Sequence, residues 1–169
     1  MVEARKEETK THEYSNKGVY NGQWSGNHRH GHGVFTWPSG ARYEGNFKND
    51  RREGLGKMLY DDQAIYVGDW KGDKRNGKGV YKYPSGAVYE GQFKDDNMHG
   101  FGSFKWKSGA TYVGEWRNNR KNGTGTMTYN DKSIYDGRWV EDKRHGKGNM
   151  RWPNGSVYDG YFKDDKKAG

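Results

Sequence analysis

The sequence repeats itself with a period of 23 residues, and no insertion or deletion interrupts the period. One tyrosine recurs at the same place in every period, at Tyr20, Tyr43, Tyr66, Tyr89, Tyr112, Tyr135 and Tyr158. A glycine follows each tyrosine by two residues and an aromatic residue follows it by four; a G-x-G pair comes later, as at Gly31 and Gly33. A fixed period of this length is the signature of a repeat architecture, in which each repeat is one small structural unit.

Within each unit the recurring residues alternate, which indicates two β-strands per unit. The patterns Tyr-x-Gly-x-aromatic and Gly-x-Gly-x-(Phe, Met or Tyr)-x-(Trp or Tyr) have a period of two, the period of side chains along a strand. Turn-forming residues, such as Pro-Ser-Gly-Ala at 38–41, separate the units. The predicted fold is therefore all-β: an elongated, single-layer antiparallel meander of tandem 23-residue β-hairpins, with 14 strands.

The glycines predict how the hairpins pack. If each tyrosine pairs with the last aromatic residue of its own hairpin, Trp24 lies opposite Gly33 and Phe35 lies opposite Gly22. An aromatic ring can lie over a strand where a glycine leaves room, and this cover compensates for the weakness of glycine in a strand. We therefore expect a core of rings on glycines, and we expect the tyrosines to remain partly exposed because the sequence supplies no second layer.

The repeat frame also predicts the domain organisation. Residues 1–8 form a flexible N-terminal arm and residues 9–169 form the repeat array, with a half repeat at 9–19, six full repeats at 20–157 and a half repeat at 158–169. The strands at the two ends have unpaired backbone groups, so we expect strand addition there by a partner or by a second copy, which would give a homodimer.

Two turns between units depart from the pattern. Gln63 and Lys132 stand where the other turns have a glycine, namely Gly40, Gly86, Gly109 and Gly155. Those glycines suit the left-handed conformation that ends such a loop. We therefore expect either positive φ at Gln63 and Lys132 or a shifted turn that uses Asp62 and Asp131.

The composition decides what kind of core is available. Leu, Ile, Val and Phe together make up only 19 of 169 residues, a fraction typical of disordered chains, but 7 Trp and 13 Tyr are present as well. The fold must therefore be built on aromatic rings.

Three features of the sequence bear on the location of the protein. The absence of cysteine suits a reducing compartment. No apolar run approaches the roughly 20 residues of a membrane-spanning helix, and the N-terminus is too polar for a signal peptide. We expect the protein in the cytoplasm or its cytoskeleton.

The pattern Y-x-G-x-W/F followed by G-x-G, over residues 14–169, resembles the MORN repeat. MORN arrays occur in radial spoke heads of cilia, in cell-division scaffolds and beside lipid kinases, and they share a non-catalytic role in holding components together. The resemblance implies a scaffold and docking protein of a cytoskeletal assembly, namely the radial spoke of a ciliary or flagellar axoneme, whose partners are other protein subunits. The alternative that it implies is a peripheral module that binds acidic phospholipids.

The sequence offers no arrangement for catalysis. His28, His30 and His32 could offer imidazoles to a metal, but His30 recurs as His99 and His145 before the G-x-G and so belongs to the repeat. The glycines are spaced by strands rather than gathered before a helix as in a nucleotide-binding loop. We therefore predict no enzyme activity, no cofactor and no metal site.

Two surfaces are candidates for binding partners. The first is the outer aromatic column, the last aromatic residue of each hairpin, which we expect to be partly exposed and to form a docking groove: Trp37, Tyr60, Tyr83, Trp106, Tyr129 and Trp152. The second is a basic edge of one pair per hairpin tip: Arg51 with Arg52, Lys74 with Arg75, Arg120 with Lys121, and Lys143 with Arg144.

The role of the basic edge is open between two readings. Acidic residues precede most of the pairs, so the tips should be largely neutralised and should keep the sheet soluble. Alternatively, the edge could attract acidic lipid or an acidic protein surface, consistent with the net charge of +8. Rings beside basic residues also suit single-stranded nucleic acid, but here the rings are committed to glycines, which argues against that partner.

Overall fold

The computed structural model describes residues 8–169, and every regular element among them is a β-strand. The predicted flexible arm lies outside the described residues except for Glu8. Two compact units divide the chain after Pro84. The strands of the first unit are β1 (Thr9–Glu13), β2 (Val19–Ser25), β3 (His28–Thr36), β4 (Arg42–Lys48), β5 (Arg51–Leu59), β6 (Ile65–Lys71) and β7 (Lys74–Lys82). Those of the second unit are β8 (Val88–Lys94), β9 (Asn97–Lys105), β10 (Thr111–Arg117), β11 (Arg120–Thr128), β12 (Ile134–Val140), β13 (Lys143–Arg151), β14 (Val157–Lys163) and β15 (Lys166–Lys167).

Within each unit, every strand pairs antiparallel with its neighbours in the chain. The predicted all-β meander of tandem hairpins is confirmed. The described residues contain 15 strands rather than the predicted 14, because Lys166–Lys167 begins a further strand against β14. None of the described residues forms a helix long and apolar enough to span a bilayer.

The predicted register within each hairpin is wrong by two residues. Tyr20 pairs with Phe35, and Gly22 pairs with Gly33, so glycine faces glycine across the hairpin. The last aromatic residue does not pair with the tyrosine, because its N–H is used in the turn: Trp37 N donates to Ala41 O at 2.9 Å. The same register recurs in β4–β5, β6–β7, β8–β9, β10–β11 and β12–β13.

Each of these hairpins also contains a β-bulge. The pairing shifts between Gly22 and Trp24, and Trp24 lies opposite Arg29 rather than opposite a glycine. The first glycine of G-x-G sits at the bulge with positive φ, 75° at Gly31 and 101° at Gly77. Side chains with a β-carbon rarely adopt this conformation, so the bulge explains why the first glycine recurs.

The rings that lie on glycines are the tyrosines. A β-carbon added at Gly33 would overlap the ring of Tyr20, whose hydroxyl donates to Gln23 O at 2.6 Å. The core of rings on glycines is therefore present, but Trp24 is not the ring that covers Gly33. The expectation of partly exposed tyrosines is wrong as well, since six of them have no exposed surface: Tyr20, Tyr43, Tyr66, Tyr89, Tyr112 and Tyr135.

Aromatic residues four positions after the tyrosines complete the core. The ring of Tyr43 meets Phe47 of its own hairpin at 5.1 Å and Trp70 of the next at 5.4 Å, both edge to face. Such pairs contribute about 0.5–1.5 kcal/mol each beyond the area that they bury. The core of each unit is thus a continuous row of interlocking rings on one face of the sheet.

The turns follow two regular types. At hairpin tips, two consecutive residues have positive φ, as in Asn49 (48°) and Asp50 (69°), which is the type I′ turn that suits the twist of antiparallel strands. In the turns between hairpins, Gly40 has a φ of 93°. Positive φ was predicted at Gln63 and Lys132, which replace this glycine in two turns. The prediction is confirmed, because φ is 76° at Gln63 and 73° at Lys132.

Candidate docking surface

The outer aromatic column lies along the turns between hairpins. In Trp37, Tyr60, Trp106, Tyr129 and Trp152 the backbone N–H donates across the turn, as Trp106 N does to Ala110 O at 2.9 Å. All six predicted rings are half-buried: Trp37, Tyr60, Tyr83, Trp106, Tyr129 and Trp152. Each unit therefore repeats one partly exposed ring per hairpin at one edge of its aromatic face.

Tyr14 is a further member of this column that the sequence analysis missed. Its N–H donates to Gly18 O at 2.8 Å, the same turn bond as in the other members. The repeat frame contained the signal, because Tyr14 precedes Trp37 by one period of 23 residues.

The basic pairs of the hairpin tips divide into two sets with different environments. The first member of each pair is exposed: Arg51, Lys74, Arg120 and Lys143. We call these the outer cations. The second member is half-buried on the aromatic face: Arg52, Arg75, Lys121 and Arg144, together with Arg29 of the first hairpin. We call these the inner cations.

The inner cations lie over the rings of the core. The guanidinium of Arg52 is 4.6 Å from the ring of Trp70 and 6.0 Å from that of Tyr43, and Lys121 Nζ is 4.4 Å from the ring of Trp139. Inner cations also approach the outer aromatic column, with Arg52 at 6.0 Å from Trp37. Cation–π contacts of this kind favour a fixed cation beside each half-buried ring.

An inner cation contacts the aspartate 21 residues later in the chain, and we call this contact a bracket. Each bracket joins one hairpin to the next. Arg52 N and Nε donate to Asp73 Oδ1 at 2.9 and 3.2 Å, and Arg52 Nη2 donates to Asp73 O at 3.0 Å. Arg29 with Asp50 and Arg144 with Asp165 repeat the arrangement. The predicted neutralisation within one tip is therefore wrong for the inner cations, because the type I′ turn places the aspartate against the preceding tip.

One bracket is neutral. Met98 stands in the place of the inner cation, and its N–H donates at 2.8 Å to Oδ1 of Asn119, which stands in the place of the aspartate. Both charged residues of this bracket are thus replaced by neutral ones, while the hydrogen bond from the backbone N–H is kept.

Burial changes the titration of groups on this surface. Burial lowers the pKa of Lys121, and the nearby carboxylate of Asp142 opposes this shift only in part. Burial likewise raises the pKa of Tyr129, against the opposing charge of Arg144. Both shifts follow from the cost of a charge where water is excluded, so the inner cations belong to the packed face and do not form a solvated basic rail.

The three histidines of the tip do not converge on one point. His28 Nδ1 lies 2.5 Å from Oδ2 of Asp50, the aspartate that forms the bracket with Arg29. Among residues 8–169 there is no group of three or more His, Cys, Asp or Glu side chains that could hold a metal ion.

The opposite face of the sheet carries scattered apolar side chains. Leu55 is 65% exposed and Phe101 is 59% exposed, and both alternate along their strands with residues of the aromatic face. The repeat pattern does not mark these residues, because they stand at positions that vary from repeat to repeat.

Six consecutive segments match the model of the MORN repeat, at residues 20–42, 43–65, 66–88, 89–111, 112–134 and 135–157. The chain belongs to the MORN-repeat family. The MORN repeat is a scaffold type of repeat rather than an enzyme family. A scaffold that binds proteins or membranes is therefore the class of function that the family supports.

Two other comparisons add little to the MORN assignment. No curated protein matches the sequence. Similar solved structures include the TCP domain of Drosophila melanogaster SAS-4 in complex with a proline-rich motif of Ana2, which is 14% identical with a TM-score of 0.48 over 91% of this chain and 78% of that one. The TCP10 domain of Danio rerio CPAP in complex with a peptide of STIL is 12% identical with a TM-score of 0.44 over 89% and 76%. At this level of similarity we draw no functional conclusion from either.

Proposed function

We propose that this MORN-repeat chain is a non-catalytic scaffold that docks protein partners on its outer aromatic column. The observation that carries the proposal is the recurrence of one half-buried ring per hairpin, at the same turn position, along the edge of a packed aromatic face. Aromatic residues that are held rigidly and partly exposed are the side chains that most often dominate protein interfaces.

The contacts that the cations already make indicate that the aromatic rings, rather than the charges, are the main source of affinity for a protein partner. The inner cations already contact aspartates and core rings, so they have little charge to offer a partner. The outer cations are exposed, and Arg120 Nη1 donates to Glu141 Oε2 at 2.6 Å. An exposed ion pair of this kind contributes at most about 1 kcal/mol. Charge at the tips should therefore affect mainly the association rate and its salt dependence.

The cellular setting that we propose is a cytoskeletal assembly, with the radial spoke of a ciliary axoneme as its most specific form. This part of the proposal rests on the family resemblance. The partners would be other protein subunits of that assembly, and addition of a strand along the free edge of β1, or along the part of β14 that β15 does not cover, would provide a second mode of association.

Binding to acidic phospholipid is the second candidate, and the outer cations are the observation that favours it. Within each unit they place one exposed Arg or Lys at the tip of each of two hairpins. A basic residue held near an anionic membrane surface contributes about 1 kcal/mol. The two candidates thus depend on different side chains, and mutation can separate them.

The test compares two double variants of the same unit. Trp106→Ala with Trp152→Ala removes rings of the outer column, and Arg120→Glu with Lys143→Glu reverses two outer cations without disturbing a bracket. Phe101→Ala with Val113→Ala, on the opposite face, is the matched control. Each tagged chain is used for a quantitative pull-down from a ciliated-cell lysate and for co-sedimentation with vesicles with and without phosphoinositides.

We expect the tryptophan variant to lose the proteins that the wild type captures, while its circular dichroism remains that of the wild type. The charge variant should keep most of that binding, with a greater loss at low salt than at high salt. Loss of binding only in the charge variant, together with sedimentation on acidic vesicles, would overturn the docking proposal in favour of the lipid candidate.

A further inference from the structure

Two neighbouring rings of the outer column have no aromatic partner within residues 8–169. Elsewhere in the column a second ring fills this role: Phe35 lies 4.6 Å from Trp37, Tyr81 lies 4.5 Å from Tyr83 and 5.8 Å from Tyr60, and Phe104 lies 4.5 Å from Trp106. Tyr129 and Trp152 have no such contact. Their nearest ring-face neighbours are cations, with Arg144 at 5.9 Å from Tyr129 and Lys167 Nζ at 4.8 Å from Trp152.

The cause is the residue two positions before each outer ring, which lies on the same face of the strand. We call it the floor residue. It is aromatic in three hairpins, at Phe35, Tyr81 and Phe104, and it is methionine in three, at Met58, Met127 and Met150. The hairpins of Tyr129 and Trp152 are adjacent and both have methionine floors. A methionine fills less of the space beside the outer ring than Phe or Tyr does, and it adapts its shape easily.

A surface pocket of about 460 Å³ opens between these two rings. Besides these two rings, its lining consists of Met150, Arg144, Asn130, Asp131 and Ser133. Ser133 is only 3% exposed, whereas Ala41, Ala64, Ala87 and Ala110 occupy its position in other hairpins. Its hydroxyl donates to Asp131 Oδ1 at 2.5 Å and so orients that carboxylate within the lining.

We infer that this pocket receives an aromatic side chain from a protein partner, an inference that rests on the proposed docking function. The partner's ring would lie against Met150 and make with Tyr129 and Trp152 the ring contacts that Phe35, Tyr81 and Phe104 make with outer rings in other hairpins. The lining matches such a ring: the methionine sulfur and the guanidinium favour contact with an aromatic ring, and the Asp131 carboxylate favours its electropositive edge. The pocket is thereby the anchor point of the outer column, and the aromatic-floored hairpins supply flanking contact.

The direct test uses the whole chain labelled with ¹³C in its methionine methyl groups, and N-acetyl-tryptophan amide as the probe. Ring currents of a bound indole shift nearby methyl signals. We expect a saturable shift of the Met150 signal, little shift of the Met58 signal, and at least tenfold weaker binding of N-acetyl-leucine amide. Equal shifts at Met58 and Met150, no saturable shift, or equal binding of the leucine compound would overturn the inference.

A filling variant provides the second test. Met150→Phe places an aromatic ring at the floor position beside Trp152. Met58→Phe is the matched control, because the outer ring of its hairpin, Tyr60, already contacts Tyr81. We expect Met150→Phe to keep the folded circular dichroism spectrum and to weaken probe binding at least tenfold, while Met58→Phe leaves it unchanged. Unchanged probe binding by Met150→Phe would overturn the inference.

The same variant separates this inference from the docking proposal. If Met150→Phe still captures the proteins that Trp106→Ala with Trp152→Ala loses, the outer column remains the docking surface and the pocket inference fails. If both variants lose the same captured proteins, the pocket is the anchor within that surface.

Discussion

The two glycines of each G-x-G pair meet different requirements, although the sequence shows them as equivalent. Gly77 has a φ of 101° at the bulge, which restricts it through its backbone. Gly79 lies beneath the ring of Tyr66, where any β-carbon would overlap the ring. The first glycine therefore permits the bulge and the second permits the buried tyrosine.

Replacement of Gly79 by Val tests the second requirement. The new side chain would displace Tyr66, which is fully buried, and overpacking of this kind costs about 1–3 kcal/mol. Lys78→Ala, at the neighbouring exposed position, should change the free energy of unfolding by less than about 0.5 kcal/mol. Denaturant unfolding of both variants measures the difference, and equal midpoints would contradict the packing of Tyr66 on Gly79.

The buried tyrosines also predict loss of stability at alkaline pH. Burial raises the pKa of Tyr20 and of Tyr135 to about 12, and it raises the pKa of Tyr43 and Tyr112 as well. Tyrosine in the unfolded chain titrates near pH 10. Since the folded pKa is the higher one, this contribution to stability is complete below about pH 10 and is lost as pH rises towards 12.

The unfolding free energy, measured from pH 8 to pH 12 beside the phenolate absorbance, tests this dependence. We expect stability to fall above about pH 10, with the phenolate signal of the core tyrosines appearing together with unfolding. If all 13 tyrosines ionised in one step near pH 10 while the chain remained folded, the burial of the tyrosine row would be contradicted.

At the scale of the strand and turn, the brackets connect successive hairpins through their tips. The neutral bracket of Met98 and Asn119 keeps the backbone hydrogen bond that Arg52 makes to Asp73. The hydrogen bond from the backbone N–H is thus the constant part of a bracket, and the charge pair is an addition to it. This predicts that the two members of a bracket are energetically coupled.

A double-mutant cycle at Arg52 and Asp73 measures that coupling. Arg52→Met alone leaves the carboxylate without its guanidinium, and Asp73→Asn alone leaves the guanidinium over the rings without its counter-charge. The double variant recreates the pair found at Met98 and Asn119, so it should be less destabilised than the sum of the single variants. We expect a coupling of about 0.5–1 kcal/mol, because Asp73 is half exposed; strictly additive unfolding free energies would contradict it.

Turn geometry was more predictable from the sequence than pairing register. Positive φ at Gln63 and Lys132 followed from a comparison with the glycines of equivalent turns. The alternation with a period of two assigned Tyr20 and Phe35 to one face, but it is satisfied equally well by registers that differ by two residues. The bulge at Gly31 and the use of Trp37 in the turn set the true register, and both depend on hydrogen bonds that the pattern does not reveal.

At the scale of the whole molecule, the period of 23 residues predicted which residues form one column but not which of them remain available to a partner. The six rings of the predicted outer aromatic column are half-buried at equivalent turn positions, Tyr14 is a seventh, and their role in docking stays a prediction. The basic pairs looked uniform in the sequence, whereas Arg51 is solvated and Arg52 is packed on rings. That division depends on contacts between hairpins, as does the pocket between Tyr129 and Trp152.

Hydroxyl-radical footprinting of the chain, alone and in the complex that it forms with its captured protein partners, tests the docking claim most directly. The rates of modification of Trp37, Trp106 and Trp152 report on the outer column, and those of Leu55 and Phe101 report on the opposite face. We predict protection of the three tryptophans in the complex, strongest at Trp152, with Leu55 and Phe101 unchanged. Protection of Leu55 and Phe101 with unchanged tryptophans would contradict the account.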